Sequence, residues 1–207
     1  MSEHYVINLG RQLGSGGKEI GEKLAQQLGI AFYDKELINL ASEESGLCRE
    51  FFEKADEKAS QSILGGLFGS RFPFITEGAY PYNSYLSNDS LFKIQSDVIR
   101  HLAEKQSCLF VGRCADYVLQ DLNPFRLFVY ADISSKIARC REKGADAAAM
   151  TDKELQQKII SIDKKRARYY QFYTEQDWGN KANYDLCINT TNTEIKKIVA
   201  AIEKFIV

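Results

Sequence analysis

Long apolar segments are missing from this sequence, and so is any sign of export. No window of the 207 residues approaches the roughly 18 consecutive apolar residues that would cross a bilayer. The first residues, MSEHYVINLG, do not form a basic stretch followed by an apolar run and a cleavage site, which is the pattern of a secretory signal. We therefore expect a cytoplasmic protein without a membrane partner.

Paired cysteines and an excess of one charge are also missing. The five cysteines are scattered and form no CxxC pair, which argues against a zinc site or a disulfide framework. Lys and Arg number 27 against 28 Asp and Glu, so no overall field would hold a nucleic-acid polymer. Any anion must therefore be bound locally, and we expect small molecules as partners.

Short apolar strands alternate with helices along most of the chain. The predicted strands are 5–9, 30–33, 108–111, 126–131 and 184–189, and the predicted helices are 17–28, 35–40, 49–60, 91–102, 116–119, 133–142, 151–173 and 195–205. This order predicts an α/β fold with a central parallel sheet flanked by helices, and ligands at the carboxyl ends of the strands. The alternation breaks between residues 65 and 88, a stretch whose length favours a functional flap or a mobile insertion.

A glycine-rich loop follows the first strand. It reads Gly14-Ser15-Gly16-Gly17-Lys18 and leads directly into a helix, a context in which backbone amides bind phosphate and Lys18 supplies a cation. The full pattern GxxxxGK[ST] is not met, since Gln12 replaces the first glycine and Glu19 the hydroxyl that binds magnesium. A plain glycine-rich turn is the alternative, but three glycines in four residues cost backbone entropy, which favours close approach of a ligand.

Several segments together resemble one enzyme family. Residues 8–21 and 28–34 are similar to the opening of the bacterial cytidylate kinase-like proteins, a branch of the P-loop nucleoside monophosphate kinases. Residues 107–119, 163–170 and 183–190 resemble the middle, the lid and the final strand of that family, in family order. The resemblance implies a three-layer P-loop NTPase fold in a single domain of residues 1–207, with an acceptor-binding insertion at about 35–90 and a lid at about 140–182.

The same resemblance implies ATP- and Mg²⁺-dependent phosphoryl transfer to a nucleoside monophosphate, with a cytidylate-like acceptor first among them. Two polyanions must then meet in line, so arginines should dominate the site. The implied catalytic residues are Lys18, Arg113, Arg166 and Arg168. The implied ATP-binding residues are Gly14, Ser15, Gly16, Gly17, Lys18, Glu19, Arg139 and Arg141, and the implied acceptor-binding residues are Asp34, Arg113 and Asp116.

Departures from the family pattern leave alternatives open. Cys114 stands where cytidylate kinases carry an aspartate that helps recognise the nucleotide, and Asp116 is a partial substitute; Cys114 itself is interpreted first as a small packed residue. No carboxylate ends the strand at 108–111. Asp34, Asp116 or Glu19 would therefore have to bind magnesium in its place, and the ligands of the ion stay unassigned. Asp34 fits a helix cap equally well, and Arg11 could reach a phosphate or a structural carboxylate.

Two rival functions fit the same departures. The alternative for Arg166 and Arg168 is that they belong to a basic, solvent-exposed helix face and have no catalytic role. A catalytically silent nucleotide-binding regulator would keep the fold without turnover, and a kinase for another small acceptor would use the same fold on different chemistry. The sequence does not indicate an oligomeric state.

Overall fold

The structure is a computed structural model that describes residues 4–35, 88–143, 147 and 149–206. Most of the predicted acceptor-binding insertion lies outside the described residues. The predicted helix at 35–40, except for its first residue, also lies outside the described residues. The same is true of the predicted helix at 49–60 and of most of the irregular stretch that begins at residue 65.

Within the described residues, five parallel strands form the central sheet. They are β1 Val6–Arg11, β2 Ala31–Tyr33, β3 Cys108–Val111, β4 Phe125–Tyr130 and β5 Leu186–Asn189. Their order across the sheet is β2-β3-β1-β4-β5, and Leu9 of β1 lies in register with Val111 on one side and Leu127 on the other. The predicted parallel sheet is confirmed, and β1 and β3 lie next to each other near its middle.

Helices cover both faces of this sheet. They are α1 Gly17–Leu28, α2 Asn88–Lys105, α3 Ala115–Val118, α4 Ile133–Lys143, α5 Asp152–Thr174 and α6 Ile195–Ile206, with short 3-10 turns at Gln120–Leu122 and Lys181–Asn183. On one face Ile7 and Leu9 pack with α1 and α6, and on the other Val6 and Phe110 pack with α2 and α3. Because both faces are covered, the strands are nearly continuous apolar runs, and the result is the predicted three-layer α/β fold.

Local signals account for several helix ends. Helix α1 ends at Gly29, whose φ of 65° is left-handed and whose amide donates to the carbonyls of Ala25 and Gln26, as a glycine C-cap does. Helix α5 begins after Thr151, which forms a capping box with Glu154. None of the helices in the described ranges is long and apolar enough to cross a membrane.

Candidate active site

The glycine loop and the turn after β3 meet at the carboxyl edge of the sheet. The loop follows β1, the turn follows the neighbouring strand β3, and the amide of Gly112 donates to the carbonyl of Leu9 over 3.1 Å. Adjacent parallel strands end at the same edge, which is where ligands bind in this fold class. The two sequence-predicted parts of the site are therefore neighbours.

The loop presents an uncapped helix N-terminus. Gly14 and Gly16 have left-handed backbone, with φ of 75° and 82°. Gly16 is the N-cap of α1 and provides no side-chain hydrogen bond, so the N-cap residue itself does not cap the first-turn amides. Ser15 is buried and holds the loop, since its hydroxyl donates to Gln12 and its carbonyl accepts from Thr190, both over 2.8 Å. The uncapped amides suit an anion such as phosphate.

Protein neighbours require the three glycines of this loop. A Cβ on Gly14 would lie 2.6 Å from the carbonyl oxygen of Lys136, one on Gly16 would lie 2.5 Å from Cδ1 of Ile195, and one on Gly17 would lie 2.4 Å from Cβ of Arg11. Packing and left-handed backbone thus explain the glycines, and their number alone does not identify a phosphate site. The first-turn amides that Gly16 leaves uncapped and the side chain of Lys18 are a stronger argument for a phosphate site than the number of glycines.

Lys18 and Asp34 form an ion pair. The Nζ atom of Lys18 lies 2.6 Å from Oδ2 of Asp34 at the end of β2. The Asp34 side chain is buried, whereas that of Lys18 is 55% exposed. Because Lys18 belongs to the first turn of α1 and its side chain is half-exposed, it is accessible to a phosphate bound there, and the structure brings Lys18 and Asp34 together.

A buried ion pair that the sequence analysis missed supports the loop. Nζ of Lys136 on α4 lies 2.8 Å from Oδ2 of Asp163 on α5, and both side chains are close to fully buried. The other oxygen of Asp163 accepts from the amide of Leu13 over 2.8 Å, and Lys136 also donates to the side chain of Gln12. Asp163 could have been found from helical phase, because it shares a buried face of α5 with Ile159.

Arg139 and Arg141 lie in the same helix but have different partners. Arg139 donates to the carbonyl of Gly14 over 3.5 Å and to the hydroxyl of Thr190 over 3.0 Å. Arg141 instead donates to the carbonyl of Met150 and pairs with Asp152. Of these two arginines, Arg139 is the one that contacts the glycine loop.

Glu19 is held by lysines. Its carboxylate hydrogen-bonds Lys143 at the end of α4 and lies 3.7 Å from Nζ of Lys23. The hydrogen bond from Lys143 holds the pKa of Glu19 below its ordinary value. The carboxylate at the position of the usual magnesium-binding hydroxyl is therefore ionised and already engaged.

The turn after β3 has an unusual backbone. Gly112, Arg113 and Cys114 have φ angles of 77°, 59° and 54°, and two consecutive non-glycine residues in the left-handed region cost conformational energy. The guanidinium carbon of Arg113 lies 5.7 Å from the ring centroid of Tyr169 on α5. Cys114 is buried, which raises the pKa of its thiol, so it is a packed residue, as the sequence suggested.

The side chain of Asp116 is hydrogen-bonded to α5. Its Oδ2 accepts from the hydroxyl of Tyr170 over 2.6 Å, and both side chains are buried. Burial raises the pKa of Asp116, while the bond from Tyr170 opposes that shift. The structure thus gives this predicted acceptor-binding residue a strong internal partner.

The two arginines predicted for the lid differ sharply in exposure. Arg166 donates from Nη1 to the carbonyl of Arg11 over 3.0 Å and lies 3.9 Å from Asp163, with a side chain that is 28% exposed. Burial lowers the pKa of its guanidinium. Arg168 is exposed and makes no ion pair within the described ranges. In this conformation Arg166 braces the end of β1, whereas Arg168 is on a solvent-facing side of α5.

No ready magnesium site is visible. Within residues 4–35, 88–143, 147 and 149–206, no three His, Cys, Asp or Glu side chains group as a metal site would require. Asp116 is bonded to Tyr170 and Glu19 to Lys143. Asp34 is paired with Lys18, so all three carboxylates that the sequence analysis named already have protein partners.

Comparisons with known proteins show which structures share this fold. A crystal structure of an uncharacterized protein from Eubacterium ventriosum is 26% identical, with a TM-score of 0.68 and 98% of each chain covered. Shikimate kinase from Bacteroides thetaiotaomicron is 15% identical, with a TM-score of 0.53 and 98% of each chain covered. Shikimate kinase from Acinetobacter baumannii, in complex with shikimate, is 14% identical, with a TM-score of 0.51, covering 98% of this chain and 93% of that one.

The shikimate kinases are distant enough that they show the fold alone, and that fold is the P-loop NTPase fold predicted from the sequence. Comparison with curated proteins gave no match. A model of the cytidylate kinase-like family matches residues 6–192, nearly the whole chain. The chain belongs to the cytidylate kinase-like family.

Proposed function

We propose that this protein transfers the terminal phosphoryl group of ATP to a nucleoside monophosphate, with a cytidylate-like nucleotide as the foremost acceptor. Membership of a kinase-like family supports phosphoryl transfer in general. The observation that carries the proposal is the adjacency of the glycine loop and the Gly112–Arg113 turn at the carboxyl ends of β1 and β3. This adjacency offers one anion site for a donor and another for an acceptor.

The donor side uses the loop and its lysine. The first-turn amides of α1 bind the phosphates of ATP, and the half-exposed ammonium of Lys18 neutralises part of their charge. Arg139 holds Gly14 and Thr190 in place around the loop. Mg²⁺ would arrive with ATP and neutralise charge on the phosphates. Asp34, Asp116 and Glu19 all have protein partners in this structure, so the protein ligands of the ion stay unassigned.

The acceptor side uses Arg113. A guanidinium presents a planar pair of donors that matches a phosphate, and Arg113 follows β3 directly, at the same edge as the loop. Arg168, exposed on α5, is free to move toward the phosphates as a lid closes, whereas Arg166 fixes the end of β1. Transfer needs no covalent intermediate and no strong base, because positioning and charge neutralisation dominate this chemistry.

A kinase for a different small acceptor is the second candidate. The observation that favours it is local: Cys114 replaces the aspartate of cytidylate kinases, and Asp116 is bonded to Tyr170. Selectivity for the nucleotide would then have to come from other residues. Because the fold is shared with shikimate kinases, shikimate belongs among the acceptors to be tested.

A coupled assay of ADP release tests the proposal. ATP and Mg²⁺ are combined with the monophosphates of cytidine, deoxycytidine, uridine, adenosine and guanosine, and separately with shikimate. We expect turnover with a pyrimidine monophosphate, and a loss of about 100-fold or more in kcat for Lys18→Ala and for Arg113→Ala. Arg100→Ala is the matched control, since Arg100 pairs with exposed Asp121. ATP binding without turnover would support a silent regulator, and turnover with shikimate alone would support the second candidate.

A further inference from the structure

Arg11, the last residue of β1, spans the space between the donor loop and the acceptor turn. A Cβ on Gly17 of the loop would lie 2.4 Å from Cβ and 3.0 Å from Cγ of Arg11. A Cβ on Gly112 of the turn would lie 2.4 Å from Nη1 of Arg11. The stem of this arginine therefore packs on the glycine loop, and its guanidinium packs on the turn that carries Arg113.

The two glycines make room for this one side chain. Gly17 does not have left-handed backbone, so the backbone does not explain its missing side chain, and the close approach of Arg11 does. Gly112 has φ of 77° and also faces the guanidinium. The Arg11 side chain therefore lies between the glycine loop and the turn that carries Arg113.

The backbone of Arg11 is fixed as firmly as its side chain. Its carbonyl accepts from Nη1 of Arg166 over 3.0 Å, and Arg11 is in register with Val129 of β4. A charged group positioned before the ligand arrives costs little reorganisation during the reaction. Such positioning is what distinguishes Arg11 from exposed Arg168.

We propose that Arg11 contacts the terminal phosphoryl group of the bound nucleotide, from the side of the acceptor turn, and stabilises its charge during transfer. The inference rests on the proposed function. In the transfer, the bond between the γ-phosphorus and the oxygen bridging it to the β-phosphate breaks, and a bond from the acceptor's phosphate oxygen to that phosphorus forms. ADP leaves with the bridging oxygen and its electron pair, and Arg11 neither gains nor loses a proton.

Affinities for ATP and ADP test this contact without any turnover. Calorimetric titrations compare the wild type with Arg11→Met, which keeps an unbranched stem, and Arg11→Lys, which keeps the charge but loses the planar fork. We expect Arg11→Met to weaken ATP about tenfold or more, as for a lost charge-assisted hydrogen bond, and ADP less than about threefold. Arg11→Lys should fall between, and Arg100→Met, the remote control, should match the wild type. Equal weakening of ATP and ADP, or no weakening, would overturn the contact.

The outcomes also separate this inference from the proposed function. If the wild type binds ATP but turns over no acceptor, the proposed transfer fails, while a selective loss of ATP affinity in Arg11→Met still supports the contact. If the wild type turns over and Arg11→Met keeps kcat within about threefold, the inference fails alone, because a lost transition-state donor reduces kcat about 100-fold or more. A wild type that binds no ATP overturns both.

A double-mutant cycle tests where the guanidinium lies. Gly112→Ala is made in the wild type and in Arg11→Ala, and thermal unfolding is measured for all four proteins. The cost of a left-handed alanine is present in both backgrounds and cancels. We expect Gly112→Ala to lower Tm more in the wild type than in Arg11→Ala, because only the wild type has the colliding guanidinium. Equal shifts would show that the guanidinium does not lie against Gly112, and the inference would fail.

Discussion

The glycine loop and the turn after β3 lie side by side but are held in different ways. Asp163 and Lys136 fix the start of the loop through partly buried hydrogen bonds, and Thr190 with Arg139 fixes its middle. The turn instead contains consecutive left-handed residues, including Arg113 and Cys114.

Two neighbouring tyrosines of α5 support that strained turn. Tyr169 lies under the guanidinium of Arg113, and Tyr170 donates to Asp116 just after the turn. The glycine loop is therefore held from α4, α5 and Thr190, whereas the side chains of Arg113 and Asp116 at the turn are held by tyrosines of α5. Loss of either tyrosine should therefore disturb the turn more than the glycine loop.

Removing the carboxylate of Asp163 should have the largest effect, on the donor side. Asp163→Ala leaves the ammonium of Lys136 buried without its charge partner and the amide of Leu13 without its acceptor. We expect a loss of about 3–5 kcal/mol in the free energy of unfolding, as for a broken buried ion pair. Urea unfolding followed by circular dichroism measures it.

The double variant Asp163→Leu with Lys136→Met is the control for that prediction. It removes both charges, and replacing a buried pair with apolar side chains is often close to neutral. Recovery of most of the lost stability in the double variant would show that the unpaired charge was the cause. A single variant as stable as the wild type would contradict the view that this pair supports the loop.

Breaking the bond between Tyr170 and Asp116 should have the next largest effect, on the acceptor side. Tyr170→Phe leaves a buried carboxylate without its hydroxyl donor, which costs about 1–3 kcal/mol of stability at neutral pH. We expect the KM for the acceptor to rise while the Kd for ATP stays near the wild-type value. Steady-state kinetics measure the KM for the acceptor, and calorimetry measures the Kd for ATP. An equal rise in KM and Kd would contradict the conclusion that Tyr170 supports the turn more than the glycine loop.

The same variant should show a distinct pH dependence. Burial raises the pKa of Asp116 above its unfolded value, and the hydroxyl of Tyr170 opposes that shift. A carboxyl group with a raised folded pKa binds protons more readily when folded, so its penalty is present above the folded pKa and is relieved as pH falls through it. Tyr170→Phe should therefore regain stability, relative to the wild type, on acidification from neutral pH. Melting curves measure this, with Asp116→Asn as a variant that should lack the effect.

The sequence predicted the fold well because the fold depends on local patterns. Apolar runs gave the five strands, and Gly29 marked the end of α1 where the structure has it. Strand β5 begins at Leu186, two residues later than predicted, because Tyr184 packs on Phe128 and Asp185 pairs with Arg126. Such contacts between distant residues leave no local signal.

The site was predicted less completely, for the same reason. Lys18 and Asp34 were named separately, and only the fold brings them to 2.6 Å. Lys136 carried no signal in the sequence, since a lysine on a charged helix is usually in solvent, yet it is buried against Asp163. The glycines of the loop suggested close approach of a ligand. In the structure, close approach of other protein groups also requires them, as where Arg11 packs against Gly17.

Replacing the ring under Arg113 should have a smaller effect that is confined to the acceptor. Tyr169→Leu removes the aromatic face 5.7 Å from the guanidinium carbon, and a cation–π contact of about 0.5–2 kcal/mol corresponds to a rise of about 2- to 30-fold in the acceptor's KM. Tyr169→Phe retains the ring and should stay close to the wild type. Initial rates at saturating ATP measure the change, and a similar loss in both variants would assign the role to the hydroxyl instead.

The smallest effect should come from Arg141, in contrast to its neighbour Arg139. Arg141 pairs with Asp152, whose side chain is 78% exposed, and surface pairs of this kind contribute about 0–1 kcal/mol. Arg139 binds the glycine loop and Thr190 at once, so Arg139→Ala should loosen the donor site and weaken ATP binding, whereas Arg141→Ala should lower Tm only slightly. Paired melting curves and ATP titrations of the two variants measure the difference. If Arg141→Ala weakened ATP binding as much as Arg139→Ala, the exposed pair would have to open so that Arg141 reaches the phosphates, and the donor side would be less preformed than its buried contacts indicate.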